Sequence, residues 1–103
     1  MQNRQKVLNL LGLAQRAGKI VSGTPLVAKA IRNKQAVLIF MANDLHENSR
    51  KEISPKAVSQ NLPIQTEFNA DELSQAIGKR RKVLAVTDRN FAQALIKKIN
   101  EGV

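Results

Sequence analysis

With 103 residues, 43% of them hydrophobic, the chain can build one core and is too short to build two. It has no cysteine, which excludes disulfides and thiolate metal sites; the opening Met1-Gln2-Asn3-Arg4-Gln5-Lys6 lacks the long apolar run of a signal peptide, and no stretch reaches the roughly 18 apolar residues of a membrane span, so a cytoplasmic location without membrane contact is expected. Seventeen Lys and Arg against eight Asp and Glu leave a net charge of +9, which calls for a polyanionic partner, and nucleic acid before membrane, because membrane binding usually adds an amphipathic anchor or a lipid.

From Arg4 to Ala17 the residues Val7, Leu8, Leu10, Leu11, Ala14 and Ala17 recur at helical spacing, and Gly18 supplies a stop. Lys19-Ile20-Val21 then leads to Ser22-Gly23-Thr24-Pro25, where Thr24 reads as an N-cap and Pro25 as the first residue of a second helix reaching Asn33. Ala36 to Ala42 is a continuous apolar run, expected to be a central strand buried on both faces. After Asn43-Asp44, the polar stretch to Asn61 reads as helical, with Pro55 forcing a break or a new start after Ser54.

Leu62 to Thr66 reads as a short strand whose Pro63 belongs at its beginning or at a sheet edge. Asn69 and Glu72 match a capping box opening a helix that Gly78 ends. Val83 to Val86 is a further strand, and Asp88 caps a last helix containing Phe91, Ala94, Leu95, Ile96 and Ile99. Helices alternating with short buried strands predict a single domain over residues 1–103, an α/β/α sandwich.

Two features carry charge chemistry. The turn Gly18 to Pro25 delivers the chain into a helix N-terminus, where free N–H groups favour an anion; it matches neither the Walker loop nor the Gly-x-Gly-x-x-Gly fingerprint, which argues against nucleotide hydrolysis. Lys79-Arg80-Arg81-Lys82 is a run of four cations in a loop that cannot bury them, so all four are expected to project into solvent toward an anion. His46, beside Asp44 and Glu47, has no second His or Cys to complete a metal site, and Ser22, Ser49, Ser54, Ser59 and Ser74 have no plausible His partner for catalysis. No enzyme, metal or cofactor is therefore expected. With no Trp or Tyr, recognition of single strands by stacking is not expected either.

Gly18-Lys19-Ile20, Gly23-Thr24 and Lys29-Ala30-Ile31 resemble the RNA-binding segment of the kink-turn-binding ribosomal protein family, the archaeal "L-seven-Ae" and eukaryotic "L-thirty-e" group. Ala42-Asn43-Asp44, Asn61-Leu62-Pro63, Glu72-Leu73 and Ala76-Ile77-Gly78 follow in the same order over nearly the whole chain, and the stretches Ala17 to Lys19 and Ser22-Gly23 resemble its short bacterial YlxQ-type members. The resemblance implies a three-layer α/β/α sandwich around a four-stranded mixed sheet. It also implies non-catalytic binding of structured RNA, ribosomal RNA or another kink-turn, as a monomer and in association with the ribosome or translation.

The residues so implied are Lys19, Gly23, Thr24, Lys29 and Arg32 at the edge of the second helix, and Ile77, Gly78, Lys79, Arg80, Arg81 and Lys82 at the loop. The family pattern Gly-x-Asn-Glu-x-x-Lys is met at Gly23 and Lys29, while Pro25 and Leu26 replace its Asn and Glu. Neither can make the side-chain hydrogen bonds that read a base, so phosphate and shape recognition with weaker base discrimination is expected. The alternative is a protein-interaction adaptor on the same fold, its basic edge facing an acidic partner.

Overall fold

The computed structural model describes residues 2–102, and among them five helices alternate with four strands. Helix α1 (Gln2–Arg16) buries Val7, Leu11 and Ala14 and ends at Gly18, whose φ of 75° suits glycine. Strand β1 (Ile20–Ser22), three residues long, is an element that hydropathy alone did not distinguish from a connecting segment. Strand β2 (Leu38–Met41) is buried at every position, as the apolar run predicted.

Two expectations about helix boundaries are corrected. Helix α2 (Thr24–Arg32) is capped by Gly23, not Thr24: Gly23 has φ 92° and ψ 143° with no side-chain cap, and Thr24 and Pro25 are already helical. The reason is that Gly23 N–H donates to the Val83 carbonyl at 2.9 Å, so the chain turns from sheet to helix within one residue in a conformation other residues rarely adopt. Helix α3 (Glu47–Ser59) runs through Pro55 unbroken. Pro55 and Lys51, whose carbonyl loses its usual partner, are both exposed, so water can satisfy that carbonyl while Ile53 and Ala57 hold the opposite face in the core. His46 is the N-cap of this helix, its Nδ1 accepting from Asn48 N–H at 3.2 Å.

Strand β3 (Ile64–Gln65), helix α4 (Ala70–Ile77), strand β4 (Val83–Val86) and helix α5 (Arg89–Asn100) complete the chain. The capping box on α4 is present, with Glu72 N–H on Asn69 Oδ1 at 2.8 Å and Asn69 N–H on Glu72 Oε1 at 2.9 Å. Asp88 caps α5 through Phe91 N–H at 2.9 Å.

The four strands lie in the order β1-β4-β2-β3, antiparallel except for the parallel pair β2 and β3, which makes the sheet mixed and places β2 and β4 at its centre. Helices α1, α4 and α5 pack together on one side of the sheet, and α2 and α3 on the other. Phe40, Ile39, Leu84, Leu11, Leu73 and Leu95 are fully enclosed between these layers.

One polar staple joins α1 to α4. The Arg4 guanidinium makes two 2.7 Å bonds to the Glu72 carboxylate, donates to the Glu67 carbonyl at 2.8 Å, and lies 4.7 Å from the centre of the Phe68 ring. The hydrogen bond from Arg4 holds the Glu72 carboxyl below its ordinary range.

Candidate nucleic-acid interface

The two basic features meet because β1 and β4 are neighbours. Ser22 lies opposite Leu84 and the next residue, Gly23, bonds to Val83, so the start of α2 sits against the end of the 79–82 loop. A side chain on Gly23 would place its Cβ 3.7 Å from Cδ and Nε of Arg81, which means that the Arg81 side chain lies across the start of α2.

That posture is built from below by Ser74. This residue falls on the buried face of α4 with Ala70, Leu73 and Ile77, and its hydroxyl donates to the Arg81 carbonyl at 2.8 Å and accepts from Arg81 N–H at 3.0 Å. A serine paired in this way replaces two backbone contacts that a loop leaving a helix would otherwise lack. Gly78, at φ 81°, lets the chain reverse out of α4.

The four cations therefore differ, which corrects the expectation that all project freely. Arg81 is half-buried, its Nη1 donating to the Arg80 carbonyl at 2.7 Å. Arg80 forms an ion pair with Asp71; both are well exposed, so the pair contributes little and leaves Arg80 free to exchange partners. Lys79 and Lys82 are exposed and, among the described residues, enter no ion pair.

At the start of α2, Gly23 N–H is spent on Val83 and Pro25 has none, which leaves the N–H groups of Thr24 and Leu26 at the open, positive end of the helix. Leu26 is 55% exposed beside them. Lys29 and Arg32 continue along the exposed side of α2, about 7 and 12 Å from Thr24.

Two residues fall elsewhere. Ile77 is a core side chain, 6% exposed, so only its backbone reaches the loop. Lys19 lies at the other end of β1, roughly 13 Å of extended chain from Gly23, where its carbonyl accepts from Thr87 N–H at 2.9 Å and Thr87 Oγ1 at 3.2 Å. Ser74 was missed by sequence reasoning, although a polar residue at the i+4 position of an apolar 70, 73, 74, 77 pattern signals a buried hydroxyl with a partner.

The edge so formed presents guanidinium, ammonium and backbone N–H groups, with Leu26 and Pro25 between them. Its side-chain acceptors are the Thr24 hydroxyl and the Asp71 carboxylate that Arg80 holds. The chemistry of such a surface is complementary to anions and base-edge acceptors, and it has little to offer a base-edge donor.

The family model described as the ribosomal protein L7Ae/L30e/S12e/Gadd45 family matches residues 5–96. An RNA-binding protein YlxQ from Enterococcus faecium is 43% identical over 100 residues, covering 97% of this chain and 96% of that protein. A protein of the same name from Bacillus subtilis (strain 168) is 43% identical over 88 residues, 84% of this chain and 88% of that one. Among solved structures, a protein of unknown function from Bacillus halodurans C has a TM-score of 0.87 at 35% identity, covering 92% of this chain and 97% of that chain. A Giardia lamblia 15.5kD RNA binding protein has a TM-score of 0.78 at 13% identity over 98% and 88% of the two chains, a likeness of fold.

Proposed function

Since the chain belongs to the ribosomal protein L7Ae/L30e/S12e/Gadd45 family, we propose that it is a non-catalytic RNA-binding protein of the cytoplasm. Its substrate is structured, kink-turn-like RNA, in the ribosome or elsewhere in translation. The observation that carries this reading is the placement of Arg81 across Gly23, which joins the open end of α2 and the Lys79 to Lys82 loop into one cationic edge. Thr24 and Leu26 supply N–H groups to a phosphate, and Lys29, Lys79, Arg80, Arg81 and Lys82 supply charge-assisted contacts.

Pro25 and Leu26 define the character of the binding. Without an acceptor side chain at these two positions, neither can accept a hydrogen bond from a guanine, so affinity rests on phosphates and shape more than on the base pairs. Each missing base contact corresponds to about 1–3 kcal/mol of discrimination, a magnitude taken from DNA readout.

The test is a titration at about 0.15 M salt into a kink-turn RNA and into the same RNA with its G·A pairs replaced. Tight binding to the kink-turn with a modest preference over the replaced RNA is expected. Comparable binding of folded, duplex and unstructured RNA overturns recognition of structure, and binding to none of them transfers the basic edge to an acidic protein partner.

A further inference from the structure

A second basic surface lies at the other end of the sheet. The turn from α2 to β2 and the turn from β4 to α5 enclose a depression of about 500 Å³, lined by Val21, Lys34, Gln35, Val37, Thr87 and Arg89. Exposed Lys19 is close by in the backbone, its carbonyl being the acceptor for Thr87, which lines the depression. Among the described residues, Lys19, Lys34 and Arg89 enter no ion pair, and the neighbouring Asp88 carboxylate is engaged with Phe91 N–H at 2.9 Å.

Lys34 occupies a place that lysine does not favour. Helices α1, α3 and α4 each end on a residue of positive φ that is Gly or Asn: Gly18 at 75°, Asn61 at 58° and Gly78 at 81°. Helix α2 ends with the hydrogen-bond pattern of α1 and α3, Lys34 N–H on the Ile31 carbonyl at 3.0 Å and Gln35 N–H on the Ala30 carbonyl at 2.9 Å, but the residue at φ 60° is a lysine. In this left-handed position a Cβ is a steric burden that glycine avoids. The helix end thus forgoes its best terminator and gains a cation on the rim of the depression.

We propose that this depression is a second phosphate-binding surface, engaging the backbone of the RNA that the α2 edge holds. The inference rests on the RNA-binding reading above. Two cations and a glutamine amide in the lining suit phosphates and sugars, and the lining includes no aromatic ring on which a base could stack. From Arg81 to Thr87 the chain advances six residues, through β4 and its flanks, about 20 Å if extended. The edge strand β1 runs between the two surfaces, with Gly23 at one end and Lys19 at the other. An RNA touching both must therefore reach roughly 13 to 20 Å from the Gly23 end of the α2 edge.

The experiment compares two RNAs that share one structured core, a minimal one and one with flanking helices lengthened past that span. K34Q/R89Q is expected to bind the minimal RNA as the wild type does and the extended RNA about 3- to 10-fold more weakly, with a salt slope lower by about 2. K51Q/K97Q, which removes equal charge from exposed positions elsewhere, is expected to bind both RNAs alike. K34G is expected to keep or raise Tm while weakening binding to the extended RNA and lowering its salt slope by about 1.

The proposal is overturned if K34Q/R89Q matches the wild type on the extended RNA, if it loses equally on both RNAs, or if K51Q/K97Q loses as much. Competition by polyglutamate as effective as by the extended RNA would assign the surface to acidic protein and overturn it too. A wild type that binds neither RNA refutes the RNA-binding reading itself, and this surface with it.

Discussion

Replacing Ser74 by Ala tests whether the loop is held from beneath. The substitution removes the two hydrogen bonds by which the hydroxyl holds the Arg81 backbone, at 2.8 and 3.0 Å. Each such bond contributes about 1 kcal/mol net, and because Arg81 is half-buried its freed groups recover some water, so the loss is about 2 kcal/mol. Alanine is the better helix former by roughly 0.5 kcal/mol, which leaves a net destabilisation of about 1.5 kcal/mol. At about 4–8 °C per kcal/mol for a domain of this size, Tm falls by about 6–12 °C. Arg81 then no longer lies over Gly23 in a single posture, and RNA affinity measured well below both transitions falls by up to about tenfold, one displaced contact of about 1.4 kcal/mol. Thermal unfolding and an RNA titration of the same preparation read the two effects separately. An unchanged Tm would show that the loop does not depend on Ser74; a lowered Tm with unchanged affinity would show that the RNA does not sense the posture of Arg81.

Three other perturbations follow from particular contacts. Gly12→Ala places a Cβ 2.9 Å from the Ala76 carbonyl oxygen, so α1 and α4 must separate; the overpacking cost of about 1–3 kcal/mol outweighs the gain in helix propensity of about 1 kcal/mol, and the urea midpoint falls. The depressed Glu72 carboxyl stabilises the fold above the ordinary glutamate range, near pH 4.3, and that contribution is lost as pH falls through the folded-state value. Glu72→Gln, which keeps a side chain able to close the capping box, is therefore less stable than the wild type at neutral pH, and the two Tm curves converge toward pH 3; parallel curves would show that the ion pair does not contribute. Restoring Asn and Glu in P25N/L26E is expected to raise the preference for the intact kink-turn over its G·A-replaced form by about tenfold or more, in the paired titrations described above.

The elements whose signals are local were legible in the sequence. The capping box at Asn69 and Glu72, the Asp88 cap and the apolar run of β2 each specify themselves within a few residues. What escaped depends on contacts distant along the chain. Thr24 has the side chain of an N-cap, but the position is decided by the bond from Gly23 to Val83, sixty residues away. Pro55 is tolerated because it faces water, which follows from how α3 packs and not from the proline. Lys19 reads as part of the Gly23 turn because only three residues separate them, yet those residues are a strand, and a strand carries its two ends apart.

The two charged surfaces share a structural logic that runs through α2. This helix is nine residues long, so its ends are about 13 Å apart, and each end is flanked by a residue of positive φ. At the head, Gly23 removes a side chain and the space is taken by Arg81; at the tail, a glycine is forgone and Lys34 stands in its place. The buried face of the helix, Val27, Ala28, Ala30 and Ile31, is committed to the core, which leaves ligand chemistry to the exposed face and the two ends. Rigid packing along the middle with special backbone at both ends places cations at fixed separations on an edge whose spacing loops alone would not maintain. A phosphate chain, with its regular charges, is the partner for which fixed separations between cations matter most, and an acidic peptide, which adapts its own conformation, would require them least.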